Sequence, residues 1–155
     1  MTRPEVGKPP SVLVDQFGRQ HIDLRVSVTD RCNLRCTYCM PLDASFMSQQ
    51  KLLSFEEVTR CVCVASEMGV RTIRLTGGEP LMRPDLKRLI EQLTRVPGIE
   101  EVALTTNGLL LADQVAGLAQ AGLSRLNVSL DSLDENRFEK IARRSGLQRI
   151  LEGLE

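Results

Sequence analysis

The sequence predicts an α/β fold, a partial parallel (β/α) barrel, and three observations lead there. Short β-rich runs at 24–29, 71–76, 101–106 and 124–130 alternate with helical patterns at about 55–68, 84–95, 112–121 and 134–143. Within the runs, polar and apolar residues alternate. The C-terminal end of every run is polar. Strands alternating with helices imply βαβ units, a parallel sheet and right-handed crossovers.

Size and composition agree with one such domain. The 155 residues suffice for a real core and fall short of two ordinary domains. Lys plus Arg total 20 and Asp plus Glu total 20, so the formal net charge is zero. That balance gives no electrostatic basis for nucleic-acid or membrane-surface binding. Apolar residues at 42% and charged residues at 26% exclude a disordered or collagen-like chain. No apolar run approaches the ~20 residues of a membrane span. The opening MTRPEVGKPP lacks the apolar stretch of a secretory signal. The expected location is the cytoplasm, with no membrane or nucleic-acid partner.

Taken in order, residues 1–22 are rich in Pro, Gly and polar side chains and read as an arm, with the core domain at 23–155. His21 reads as a loop residue. In the first run Leu24, Val26 and Val28 share one face, and Arg25, Ser27 and Thr29 the other. The first helix is announced by Ser54 and Glu57, a capping box, with Leu53 and Val58 at hydrophobic-staple spacing. Gly69 reads as its C-terminal stop. In the second run Ile73 and Leu75 oppose Thr72, Arg74 and Thr76. Pro84 suits the first turn of the next helix, whose Leu86, Leu89, Ile90 and Leu93 form an apolar stripe ended by Pro97-Gly98. The third run alternates less cleanly, with Ala103 and Thr105 against Val102 and Leu104. In the fourth, Leu126, Val128 and Leu130 oppose Arg125, Asn127, Ser129 and Asp131. Ser132 and Glu135 form a second capping-box pattern, and 147–155 reads as a last helix. If helices cover the apolar face, the polar face lines a wet cavity; the alternative is an open sheet with one solvated face.

Parallel barrels place their working loops at the C-terminal ends of strands. Here those ends are Thr29-Asp30, Thr76-Gly77-Gly78-Glu79-Pro80, Thr105-Thr106-Asn107-Gly108 and Ser129-Leu130-Asp131. Directly after the first comes Cys32-x-x-x-Cys36-x-x-Cys39. In a reducing compartment such a cluster of cysteines reads as a metal site rather than a disulfide framework. Three thiolates can hold three corners of a cubane iron–sulfur cluster and leave one iron without a protein ligand. Structural zinc normally takes four protein ligands, and no fourth Cys or His stands nearby at finger-like spacing; zinc and reactive thiols are the alternatives. Tyr38, the sole tyrosine, is placed to pack on a cofactor or to cap the core. Cys61 and Cys63 fall about 200° apart on a helix, too divergent to share a ligand site, and read as packing residues.

The segments DLRVSVTDRCNLRCTYCMP, TGGEP, LTTNG and LNVSLD follow one another in this order. Together they resemble the radical S-adenosylmethionine superfamily. Within it, DLRVSVTDRC and IRLTGGEPLMRPDL are similar to the GTP 3′,8-cyclases of molybdenum cofactor biosynthesis, from about Asp15 to the last residue. That resemblance implies a [4Fe–4S] cluster on Cys32, Cys36 and Cys39, its open iron chelated by S-adenosylmethionine. Electron transfer to the sulfonium would then release a 5′-deoxyadenosyl radical that acts on GTP, giving the 3′,8-cyclised nucleotide.

Further roles are implied residue by residue. Gly77 and Gly78 bring backbone close to the methionyl amine, Glu79 adds negative charge beside it, and Ser129 contacts the cofactor. For a lone GGEP the alternative is a plain strand-to-helix turn; for Ser129, a hydroxyl bonded to backbone. Arg25, Arg74 and Thr105 match positions that contact GTP; for the arginines the alternative is an internal ion pair with a carboxylate such as Asp131. The resemblance also implies an external electron donor, allows a homodimer, and places a cyclic pyranopterin monophosphate synthase downstream. The family barrel has six strands and a C-terminal region with a second three-cysteine cluster and a Gly-Gly tail, so the chain is expected to be an N-terminal portion. A radical enzyme with another substrate and a non-catalytic iron–sulfur fragment are the competing readings.

Overall fold

The computed structural model describes residues 12–155; the first half of the predicted arm, 1–11, lies outside the described residues. The four predicted strands are present as β1 (Asp23–Ser27), β2 (Thr72–Thr76), β3 (Glu101–Thr106) and β4 (Arg125–Val128). They form one parallel sheet in the order β1-β2-β3-β4. Between and after them lie α1 (Phe55–Glu67), α2 (Leu86–Leu93), α3 (Leu111–Gln120), α4 (Glu135–Ala142) and α5 (Leu147–Glu152). This is the predicted partial βα barrel, present as an open sheet among the described residues. What remains described of the arm forms a small antiparallel bridge between Val14 and Gln20, and Leu13 N–H donates to Met68 at the end of α1.

The local signals act largely as read. Ser54 Oγ accepts from Glu57 N–H and the Glu57 carboxylate accepts from Ser54 N–H, so both arms of the capping box are made. At the other end, Gly69 N–H donates to Ser66 and Val70 N–H to Ala65. Those two bonds are a Schellman closure, and it takes a residue at φ +97°, which Gly69 adopts freely. Two boundary signals resolve differently. Asp85 sits at φ +57°, so α2 begins at Leu86 and Pro84 belongs to the preceding turn. The second capping box does not form. Asp134 caps α4 by accepting from Arg137 N–H, while Ser132 Oγ takes the N–H of Asp134 in a tight turn. Asp and Ser compete for such positions on similar terms, and the residue nearer the helix wins here.

One face of the sheet is dry. Ile73, Leu75, Val102 and Leu104 are buried beneath Val58 and Val62 of α1 and the Leu86, Leu89, Ile90, Leu93 stripe of α2. The opposite face carries rows set by strand register: Arg25 beside Arg74, Arg74 beside Ala103, and Ala103 beside Arg125. Ala103, expected on the polar face, is buried between the two arginine positions that flank it. This face is an open depression of about 680 Å³ bordered by Asp23, Arg25, Thr72, Arg74 and Arg125. A smaller second core joins Leu34 of the cysteine loop to Phe138 and Ala142 of α4 and to Leu147 and Ile150 of α5. Among the described residues no helix is long and apolar enough to cross a membrane.

Candidate functional site

The chain leaves β1 at its C-terminal end and enters the cysteine loop, which is fastened to the second core, to α4 and to the β2 turn. Leu34 is buried in the second core, with Cys32 and Cys36 packed at its edge. Arg35 N–H donates to Ala142 and Thr37 N–H to Ile141, tying the loop by backbone to α4. The Arg35 guanidinium turns back onto the carbonyls of Cys32 and Leu34 at 2.7 and 2.8 Å, and its outer side lies on the Phe46 ring. Further along, Met47 N–H donates to Asp30 at 2.6 Å, folding the long segment back onto its start.

The third fastening explains the paired glycines. Gly78 N–H donates to the Thr29 carbonyl and Glu79 N–H to the Arg31 carbonyl, both at 2.7 Å. A Cβ on Gly77 would lie 2.4 Å from the Thr29 carbonyl oxygen, and one on Gly78 2.3 Å from that of Arg31. Backbone therefore occupies the space a side chain would need, and the β2 turn is the seat on which the cysteine loop rests.

Glu79 is only 1% exposed. Its carboxylate accepts from Leu81 N–H, Thr106 Oγ1 and Asn107 N–H at 2.7 to 2.9 Å. Burial pushes its pKa upward against the pull of those donors. So Glu79 joins the end of β2 to the end of β3 rather than standing free at the surface. Thr106, Asn107, Asn33 and Arg35 were not singled out as site residues from sequence. For Thr106 and Asn107 the signal was the polar strand end LTTNG, and for Asn33 and Arg35 their place between the first two cysteines; neither reveals which partners are met.

The remaining candidates take these places. Cys32 and Cys36 are half-buried and Cys39 is exposed. Burial pushes the Cys32 and Cys36 thiols up, and the Cys39 thiol nearby adds to both shifts. Tyr38 is 69% exposed, and its hydroxyl donates to Asp131 at 2.9 Å. That bond to a carboxylate pushes its pKa up to about 12. Ser129 lies exposed just past β4, its N–H donating to Thr106. Thr105 is half-buried on β3 beside Asn127. Arg74 donates to Asn127 Oδ1 at 3.0 Å, and Arg125 pairs with Glu101. Neither Arg25 nor Arg74 belongs to an ion pair among the described residues, and Asp131 engages Tyr38 instead.

Three cysteines on one loop, two half-buried and one exposed, are a donor set of the kind a cubane cluster takes. Among the described residues no three Cys, His, Asp or Glu side chains converge as ligands of one ion. Thiolates of a cubane bind one iron each, so they need to share a loop without meeting at a point. His21 faces Asp15 at 3.7 Å, away from the loop. On α1, Cys61 is exposed, contrary to its reading as a packing residue, and Cys63 is half-buried against the core. Changing both to Ala is expected to leave iron uptake intact and lower stability by about 1 kcal/mol or less; iron analysis beside a urea melt checks it, and loss of iron from a folded variant would overturn the ligand assignment.

Comparison with known proteins agrees with this geometry. The Radical SAM superfamily model matches residues 26–155. A GTP 3′,8-cyclase of Rhodopirellula baltica is 54% identical over 148 residues, which cover 94% of this chain and 41% of that protein. The molybdenum cofactor biosynthesis protein 1 of Drosophila melanogaster is 47% identical over 152 residues, covering 97% and 27% respectively. The chain thus spans less than half the length of these curated relatives. Among solved structures, BtrN in complex with AdoMet and 2-DOIA superposes with a TM-score of 0.55 at 18% identity, over 83% of this chain and 53% of that one, a likeness of fold.

Proposed function

The chain belongs to the radical SAM superfamily, and from that premise we propose that it is the N-terminal part of a GTP 3′,8-cyclase of molybdenum cofactor biosynthesis. The observation that carries this reading is the three-cysteine loop seated on Gly77-Gly78 at the C-terminal edge of the sheet, next to a polar face bearing Arg25 and Arg74. In this reading 1–22 is an arm and 23–155 the core. Cys32, Cys36 and Cys39 hold a [4Fe–4S] cluster whose remaining iron takes S-adenosylmethionine. When bound, that pair supplies one-electron cleavage of the cofactor's sulfonium.

The chain's own residues then bind and orient. Gly77 and Gly78 present bare backbone beside the cysteine loop, and Glu79 fixes that turn against β3. The exposed hydroxyl of Ser129 and the ring of Tyr38 border the cofactor's side of the mouth. Thr105, Arg25 and Arg74 face the nucleotide. On this open face Arg25 is exposed and Arg74 half-buried beside Asn127, neither is paired with a carboxylate among the described residues, and the planar fork of each suits phosphate. An external electron donor, a homodimer, a cytoplasmic location and a downstream cyclic pyranopterin monophosphate synthase complete the proposal.

The direct test is anaerobic reconstitution with iron and sulfide. About four irons per chain are expected, with an electron paramagnetic resonance spectrum that changes on adding S-adenosylmethionine; a colourless protein with stoichiometric zinc would refute the reading. For the nucleotide, Arg25→Ala or Arg74→Ala in the full-length protein is expected to weaken GTP binding about 10- to 150-fold, the loss of a charge-assisted contact of roughly 1.5–3 kcal/mol. Iron content should not change. GTP affinity unchanged in both variants would end the phosphate assignment.

A further inference from the structure

We propose that the side-chain amide of Asn107 donates a hydrogen bond to the Cys32 sulfur and thereby sets the reduction potential of the cluster held there. The assignment rests on the cluster reading above and on the way Asn107 is pinned in the turn after β3.

The N–H and both ends of the side-chain amide of Asn107 have described partners. Its N–H donates to Glu79 Oε2 at 2.7 Å, which fixes the backbone. Its Oδ1 accepts from Leu109 N–H at 3.0 Å, which fixes the amide orientation, because a backbone N–H needs an oxygen facing it. The nitrogen is thereby turned toward the cysteine loop. One of its hydrogens serves Asn33 Oδ1 at 2.8 Å. The nitrogen also lies 3.9 Å from Cys32 Sγ, within the longer reach of a bond to sulfur. A second donor, Leu34 N–H, reaches the same sulfur at 3.4 Å.

The consequence is electrostatic. Reduction adds negative charge that spreads onto the thiolate sulfurs. A donor aimed at one of them stabilises the reduced form more than the oxidised form and raises the potential. Leu34 is a backbone donor that only a disruptive proline would remove, so Asn107 is the adjustable one. The side chain reaches the ligand from another strand, and its strength therefore varies without disturbing the loop's own sequence.

A redox titration of the reconstituted protein, followed by visible absorbance and electron paramagnetic resonance, tests this. Asn107→Ala removes both hydrogens. Asn107→Ser keeps an oxygen for Leu109 N–H and loses the reach to sulfur. Both variants are expected to retain iron and to shift the potential downward, by about tenfold in the reduced-to-oxidised ratio at fixed applied potential, or about 59 mV for one electron. Asn33→Ala is the control: it breaks the loop-to-loop bond and leaves the donor, so its potential should stay in place. An unshifted potential in both Asn107 variants would overturn the proposal. So would an equal shift in Asn33→Ala, or loss of iron from both Asn107 variants, either of which assigns the residue to holding the loop. An unaltered protein that assembles no cluster overturns the cluster reading itself, and this assignment with it.

Discussion

Replacing any one of Cys32, Cys36 and Cys39 by Ala is expected to take iron from about four per chain to near zero. Each thiolate would hold a different iron, so the loss of one leaves two irons open and the cube without a third anchor. The fold itself should survive. Leu34 supplies the buried contact in this loop, and the bonds from Arg35 and Thr37 to α4 are made by backbone. Circular dichroism should therefore be unchanged while absorbance near the visible charge-transfer bands disappears. A single-cysteine variant that keeps its full iron content would show that the ligand is elsewhere.

Gly78→Ala is expected to be nearly as damaging without touching a ligand. Its new Cβ would stand 2.3 Å from the Arg31 oxygen, 2.6 Å from the Arg31 carbonyl carbon and 2.6 Å from the Asp30 oxygen. All three are backbone atoms, so no side chain can swing aside. Either the β2 turn or the start of the cysteine loop has to lift, and the hydrogen bonds from Gly78 and Glu79 to that loop are lost with it. Overpacking of this kind costs about 1–3 kcal/mol, and the backbone clash puts this site at the upper end. Iron uptake should fall sharply. Gly117→Ala provides the contrast, since nothing lies within 4 Å of its Cβ position in α3. That change should raise stability by roughly 0.5–1 kcal/mol through helix propensity. Urea melts and iron analysis of the two variants check both statements; equal behaviour would sink the steric account.

The sheet and its helices were legible because their signals are local. Alternation in 24–29 and 71–76 placed Arg25 and Arg74 on one face, and the register between β1 and β2 sets them side by side. Ser54, Glu57 and Gly69 marked α1 to within a residue. Signals failed where two local options competed: Ser132 against Asp134 for one cap, and Pro84 against a left-handed Asp85 for a helix start. The support of the site was not legible, because it is made of long-range contacts. Nothing in GGEP says that its glycines are bare to admit the Thr29–Arg31 backbone, or that Glu79 turns inward to Thr106 and Asn107. Likewise Cys61 lies in a helical pattern with a strong apolar stripe, yet its own direction leaves it exposed.

The bond between Tyr38 and Asp131 joins residues 93 positions apart, and the ties from Arg35 and Thr37 to α4 span a greater distance still. This has a consequence for biogenesis. At a synthesis rate of about 5–20 residues per second, the cysteines leave the ribosome roughly 5–20 seconds before the helix that fastens their loop. During that interval three reduced thiols travel on a nascent chain without the α4 backbone that ties down Arg35 and Thr37 of their loop. High sequence separation also makes this contact slow to close once both partners exist. If the cluster assembles on the fastened loop, loading follows α4, and the exposed interval is when oxidation or capture of a stray ion competes with correct assembly.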